Sequence, residues 1–245
     1  MQLHMQTLKI MQYQLPVFEN LCPSWAQVSH LGIRRVFPRG SRIFDLEAPV
    51  NGIYVVREGI VEVILYTAQG PEKVLYHLGP ACIFGEVSCF VTGESDEARA
   101  RARSDCVLDF FSREVIEGPI AHQYPHLLIE LVRSSAYKIR MFSVLLQDSL
   151  DSDNFMRVCK MLVYLAQYRG GQIDAHTPRI SFNPAMTQND MARLMGVHRV
   201  TVTKAIGRLK EMGIIERFTK TELSIKDYPG LCRLIKNPDL SNLKT

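Results

Sequence analysis

The chain has 245 residues, 47% of them hydrophobic and 22% charged, with a formal net charge of +4. That composition suits a globular protein of one or two domains with a substantial core. No uncharged apolar run approaches the ~18 residues a membrane-spanning helix needs. The run from Met1 to Phe18 carries one Lys, no continuous apolar stretch and no small-residue cleavage site. It is expected to be a leader strand or helix of the mature chain, in the cytoplasm, rather than a signal peptide. The net charge hides an asymmetry: residues 1–153 hold 14 Lys/Arg against 18 Asp/Glu, whereas residues 154–245 hold 15 against 7. A basic module attracts a polyanion by neutralising phosphates and releasing counterions, although a solvated basic surface has the same composition.

Residues 1–124 are expected to form a domain built of short strands. Between about 31 and 118, apolar and β-branched runs recur, among them Gly52–Val56, Ile60–Tyr66 and Lys73–His77, punctuated by Gly40, Gly59, Gly70 and Gly79-Pro80. Short strands at this spacing point to an antiparallel barrel or jelly roll. Six cysteines, at 22, 82, 89, 106, 159 and 232, form no CxxC pair. They are therefore expected to be reduced and buried rather than zinc-binding, with a redox role for Cys82, Cys89 or Cys106 as the alternative. His122 and His126 stand four apart, but the intervening Pro125 argues against one regular helix presenting both to a metal. No metal or cofactor is expected.

From Pro125 to about Leu150 neither Gly nor Pro interrupts the chain. Leu128, Val132, Ser135, Ile139, Phe142, Leu146 and Ser149 recur at steps of four and three, the spacing of one seam on a helix. Leu127, Leu131, Met141 and Leu145 form a second stripe beside it. Two stripes on a helix of ~26 residues, roughly 39 Å long, imply two partners. One is the roll. The other is expected to be the same helix of a second subunit, meeting along Leu128, Val132, Ser135, Ile139, Phe142 and Leu146, unless the helix is buried on both sides within one chain. Residues 125–153 thus read as a dimerisation helix and hinge.

Residues 154–245 read as a DNA-binding module. Asp151–Asn154 can cap a helix from Phe155 to Tyr168, ended by Arg169-Gly-Gly171. Residues 187–210 then show a helix-turn-helix. Thr187 and Asp190 resemble a capping box. Met191, Ala192, Leu194 and Met195 face inward, Gly196 makes the turn, and Val202, Ala205, Ile206 and Leu209 anchor the second helix. The opposite face offers Arg199, Val200, Thr203 and Lys204 for base edges: Arg and Lys donate to guanine, and Val contacts a thymine methyl. Gln188, Asn189, His198 and Thr201 are placed for phosphates. A β-hairpin follows, Met212–Arg217 and Glu222–Lys226, with Lys220 at its turn available to a phosphate. A hairpin after a recognition helix is a wing.

On these residues, and on Tyr76-His-Leu-Gly79 leading into Phe84-Gly85-Glu86, the chain resembles the cyclic-AMP receptor protein and FNR family of transcription regulators, from about residue 20 to 235. The resemblance implies an α+β architecture of N-terminal β-roll sensor, central dimerisation helix and C-terminal winged helix-turn-helix. It also implies a homodimer on a palindromic operator in double-stranded DNA, contact with RNA polymerase, and control by a small effector between roll and helix. Tyr76, Gly85, Glu86, Lys138 and Phe142 are then the candidate effector-binding residues, with Tyr76 stacking and Lys138 meeting an anion. Cyclic-AMP-binding members carry an Arg-Ser pair eleven and twelve positions after the Gly of Gly-Glu; here those positions are Asp96 and Glu97, whose charge repels a cyclic phosphate. An effector other than cyclic AMP is therefore expected. A cyclic-nucleotide-responsive regulator using Arg99 in a shifted register, or a redox- or haem-responsive one, is the alternative. Arg99, Arg101 and Arg103 alternate along a strand and are expected to be solvated or salt-bridged, and His77 to be a structural histidine. Val197–Lys204 is similar to the branch that includes halorespiration regulators, which sense halogenated phenols. An enzyme on a cupin-like barrel would need a His-x-His cluster, which the seven histidines never form; no enzymatic activity is expected. A winged helix that binds protein rather than DNA fits the basic helix face less well.

Overall fold

The computed structural model describes residues 17–44, 51–65, 72–91, 98–151, 153–170 and 178–236. The leader before Val17, Gly70, the segment Thr92–Glu97 with Asp96 and Glu97, and residues 171–177 lie outside them, as do the side chains of Ser149 and Asp151. The chain divides into two compact units, one spanning Pro16–Met141 and one taking in Phe142 onward.

The first unit is a two-sheet roll. Its elements are β1 (Val17–Phe18), a 3-10 helix (Pro23–Leu31), β2 (Ile33–Phe37), β3 (Arg42–Phe44), β4 (Gly52–Glu58), β5 (Val61–Leu65), β6 (Lys73–Leu78), β7 (Ile83–Phe84), a short helix α1 (Glu86–Phe90), β8 (Ala98–Ala102) and β9 (Cys106–Ser112). The strands form a five-stranded sheet ordered β1-β6-β5-β8-β3 and a four-stranded sheet ordered β2-β9-β4-β7. Pairing is antiparallel, as the turn spacing predicts, except that β1 lies parallel to β6. The β4 run Ile53-Tyr-Val-Val56 is buried throughout, because β9 and β7 flank it and both its faces are covered. It therefore reads as a continuous apolar segment rather than an alternating one.

Short helical turns from Arg113 to Gln123 lead into α2 (Pro125–Asp151). Its start is fixed to the roll by one core. Trp25, Val28, Ile53, Val55, Ile83, Phe111, Ile116, Ile120, Leu127 and Leu131 pack together, and the Trp25 indole donates to the Leu127 carbonyl at 3.3 Å. The inner stripe of α2 differs from expectation in its middle. Leu127, Leu131 and Met141 are buried as predicted, but Ser134 and Lys138 fill the turns between them and are also buried.

The second unit contains α3 (Asn154–Arg169), β10 (Ile180–Phe182), α4 (Gln188–Met195), α5 (Arg199–Glu211), β11 (Ile215–Phe218), β12 (Leu223–Ile225) and α6 (Tyr228–Lys236). The Asp153 carboxylate caps α3 by accepting from the Met156 amide at 2.7 Å. On α3, Met156, Cys159, Leu162, Val163, Leu165 and Ala166 are buried. Helix α3 packs against α5 and α6. The wing strands form a sheet ordered β10-β12-β11. Helix α6 escapes the periodicity because Tyr228-Pro-Gly230 looks like a turn. The signal is Asp227, whose carboxylate accepts from the Gly230 amide at 2.8 Å and starts the helix.

Candidate DNA-reading surface and sensor site

The helix-turn-helix forms from local chemistry. The Thr187 hydroxyl accepts from the Asp190 amide at 3.1 Å, and the Asp190 carboxylate accepts from the Thr187 amide at 2.9 Å. Two orphan amides at the start of α4 are satisfied reciprocally. Gly196 has φ +67°, a left-handed conformation that a side chain disfavours, and it lets α5 leave α4 at a steep angle. Val202, Ala205, Ile206 and Leu209 are buried. With that face anchored, Arg199, Val200, Thr203 and Lys204 are all exposed. Val200 is 61% exposed, an apolar side chain in water on an otherwise polar face. His198 and Asn189 are also exposed, and Thr201 and Gln188 are half-buried. The Gln188 amide oxygen accepts from the Thr203 hydroxyl at 3.0 Å, so a residue assigned to phosphate and one assigned to bases touch each other. The wing turn is closed by Thr219, whose amide donates to the Glu222 carbonyl at 2.7 Å, leaving Lys220 exposed at its tip.

Not every cation of this unit faces outward. Arg157 donates to the Met195 carbonyl at 2.8 Å, tying α3 to the end of α4, and the Arg208 guanidinium lies 4.2 Å from the centre of the Phe155 ring. The charge asymmetry could not separate these structural arginines from Arg199 and Lys204.

In the first unit, Gly85 has φ +90° and turns β7 into α1, so that Glu86 points back toward α2. Lys138 is only 3% exposed. Its ammonium donates to the Ile83 carbonyl at 2.8 Å and to the Glu86 carboxylate at 2.5 Å, and lies 5.6 Å from the centre of the buried Tyr76 ring. Four of the five effector candidates thus meet, and Lys138 is not a solvated helix residue. Phe142, one turn further along α2, begins the second unit. Sequence reasoning missed the polar line that continues this site down α2. Ser134 is buried, and the Glu130 carboxylate accepts from the Ser24 hydroxyl at 2.7 Å.

Other candidates resolve into structural roles. Arg101 is salt-bridged to Glu62 at 2.7 Å and to Glu72 at 3.4 Å. His77 is buried 3.7 Å from the same Glu62 carboxylate. The six thiols are all buried. Burial pushes Cys82 up to about 11 and also raises Cys89 and Cys106, which disfavours the thiolate that redox chemistry requires; Cys22 and Cys159 are pushed up to about 12. The His122 ring bonds to the Gly118 carbonyl at 2.7 Å and the His126 ring to Gln27 at 2.8 Å. Among the described residues, no group of three or more His, Cys, Asp or Glu could hold a metal, and no helix is long and apolar enough to cross a membrane.

A two-sheet roll joined to a winged helix-turn-helix with an outward basic face defines a DNA-binding transcription regulator. Comparison with known proteins agrees. Residues 34–122 match the cyclic nucleotide-binding domain and residues 156–234 the Crp-like helix-turn-helix domain. The chain is 30% identical over 197 residues to the CRP-like cAMP-activated global transcriptional regulator of Mycobacterium tuberculosis, covering 80% of this chain and 85% of that one. It is 26% identical over 215 residues to the nitrogen fixation regulation protein FixK of Azorhizobium caulinodans, covering 84% and 81%. Among solved structures, CprK complexed with OCPA matches with a TM-score of 0.73 at 18% identity, covering 90% of this chain and 97% of that one. A CooA mutant from Carboxydothermus hydrogenoformans matches with 0.71 at 20%, covering 88% and 95%. At such identities these structures establish the fold. The chain belongs to the CRP/FNR family of transcription regulators, whose matched members are regulators and not enzymes.

Proposed function

We propose that this regulator is a homodimer that binds a palindromic operator sequence-specifically, contacts RNA polymerase there, and is controlled by an anionic, ring-containing effector other than cyclic AMP held between the roll and α2. The observation that carries the effector assignment is the buried Lys138 ammonium, paired with Glu86 beside the Tyr76 ring. An entering anion can exchange with the Glu86 carboxylate on Lys138 while its ring lies on Tyr76, and the released Glu86 then changes the contact between α1 and α2. Asp96 and Glu97, in place of a phosphate-binding Arg-Ser pair, support the exclusion of cyclic AMP. Arg199, Val200, Thr203 and Lys204 contact bases, and Gln188, Asn189, His198, Thr201 and Lys220 contact phosphates. The dimer is supported by the outer face of α2, where Val132 and Ile139 are each 65% exposed and Leu146 is 62% exposed. Leu128, Ser135 and Phe142 continue that seam. A solvent-facing apolar stripe of this length calls for a partner helix.

Thermal-shift screening of aromatic carboxylates and phenolates against the full chain tests the effector reading. A ligand that stabilises the native protein and alters operator affinity, with both effects abolished in Lys138→Met, is the expected outcome. Saturable calorimetric binding of cyclic AMP at micromolar levels overturns it. Sedimentation of Val132→Glu/Ile139→Glu is expected to yield a monomer; an unchanged dimer removes the seam.

A further inference from the structure

Resting on the assignment of α5 to the major groove, one side-chain bond between the two reading helices goes further. The Thr203 hydroxyl donates to the Gln188 amide oxygen at 3.0 Å, linking residues fifteen apart. A threonine hydroxyl inside a helix ordinarily donates back to a carbonyl three or four residues earlier in the same helix. This one crosses to the first residue of α4 instead. Thr203 shares the exposed face of α5 with Val200, three positions earlier.

We infer that Gln188 is a positioning residue for Thr203, holding it in one rotamer so that its methyl group and the Val200 isopropyl form a single apolar patch that reads a thymine 5-methyl group. An unrestrained threonine turns donor, acceptor or methyl toward a base edge and discriminates weakly. With its proton committed to Gln188, the hydroxyl can no longer donate to a base and keeps only its acceptor capacity, and the same bond fixes the direction in which the methyl points. The Gln188 amide has two N–H donors besides its occupied oxygen, which suits the same side chain to a DNA phosphate. Backbone anchoring and base reading are then coupled through one residue, and Gln188 governs sequence preference without touching a base.

The test starts with an operator selected by the full-length protein from a random duplex library. Each thymine is then replaced in turn by deoxyuridine, which lacks only the methyl group. One thymine per half-site is expected to lose about 4-fold in affinity on replacement, the worth of about one buried methyl. Gln188→Ala is expected to bring that thymine-to-uracil ratio close to 1 and leave thermal unfolding unchanged. Thr203→Val keeps the methyl without a hydroxyl to orient, so the preference persists in it and no longer responds to Gln188→Ala. The inference is overturned if Gln188→Ala weakens thymine and uracil duplexes equally, the signature of a phosphate contact alone. It is also overturned if no thymine in the selected operator shows a methyl effect. A library that yields no preferred sequence removes the DNA-reading assignment itself, which is a distinct result.

Discussion

Two helices of this regulator each present a lysine, and their surroundings are opposite. Lys138 on α2 is buried, with its charge held by a carbonyl and a carboxylate of the roll. Lys204 on α5 is exposed, as is Arg199 at the start of the same helix. A buried ammonium is tolerated only where its partners replace water, so Lys138 is part of the architecture of the first unit. An exposed ammonium contributes little to folding and is free to meet a phosphate or a base. The difference shows that residue type alone does not assign function: burial and partners do.

The largest effect that sharpens this contrast is Lys138→Met. Removing one partner of a buried pair leaves the Glu86 carboxylate uncompensated, and urea unfolding of the first unit is expected to lose about 3–5 kcal/mol. Lys204→Met, in contrast, is expected to stay within about 0.5 kcal/mol of the parent in stability while weakening operator binding. Equal stability losses in the two variants would erase the distinction. Arg199→Ala is expected to cost about 1–3 kcal/mol at the operator and to relax base preference at one position per half-site. Specific and nonspecific duplexes weakening alike in a binding titration would deny it a base-reading role.

Thr187→Ala removes the capping box below the reading face and is expected to cost about 1 kcal/mol in thermal stability of the second unit, with no change at the sensor. The smallest effect is expected from the thiols. Burial raises Cys22, Cys82 and Cys159 above their ordinary value of 9.0, so between pH 9 and about 12 the native state keeps protons that the unfolded chain releases. Their contribution is full below pH 9 and is lost as pH rises through about 12. Iodoacetamide at pH 8 should leave all three unmodified in the native protein and alkylate them in urea. Rapid native labelling of Cys82 would restore a redox role to the first unit.

What was legible in the sequence tracks how local each feature is. The α4–α5 pair could be read because its cap, Thr187 with Asp190, its turn at Gly196 and its anchor residues all lie within about two dozen positions and obey one periodicity. The bounds of α2 were legible for the same reason, since Pro125 starts it and no breaker interrupts it. The burial of Lys138 was not, because its partner Ile83 is 55 residues away in sequence and no helical period reveals a carbonyl on another strand. The short α1 and the helix Pro23–Leu31 were missed because neither is long enough to set up an apolar stripe. Each is held by tertiary contacts such as the Trp25 bond to Leu127.

If the effector enters as proposed, the residence of Glu86 on Lys138 also determines what the site ignores. A cation cradle that supplies its own carboxylate is electrically balanced when empty, so chloride, phosphate and other abundant solutes gain nothing by entering. Only a molecule that matches the carboxylate in charge and adds a second source of grip, from its ring, can evict it. On that proposal the threshold for switching is set by an internal competitor, which filters background ions by chemistry rather than by concentration.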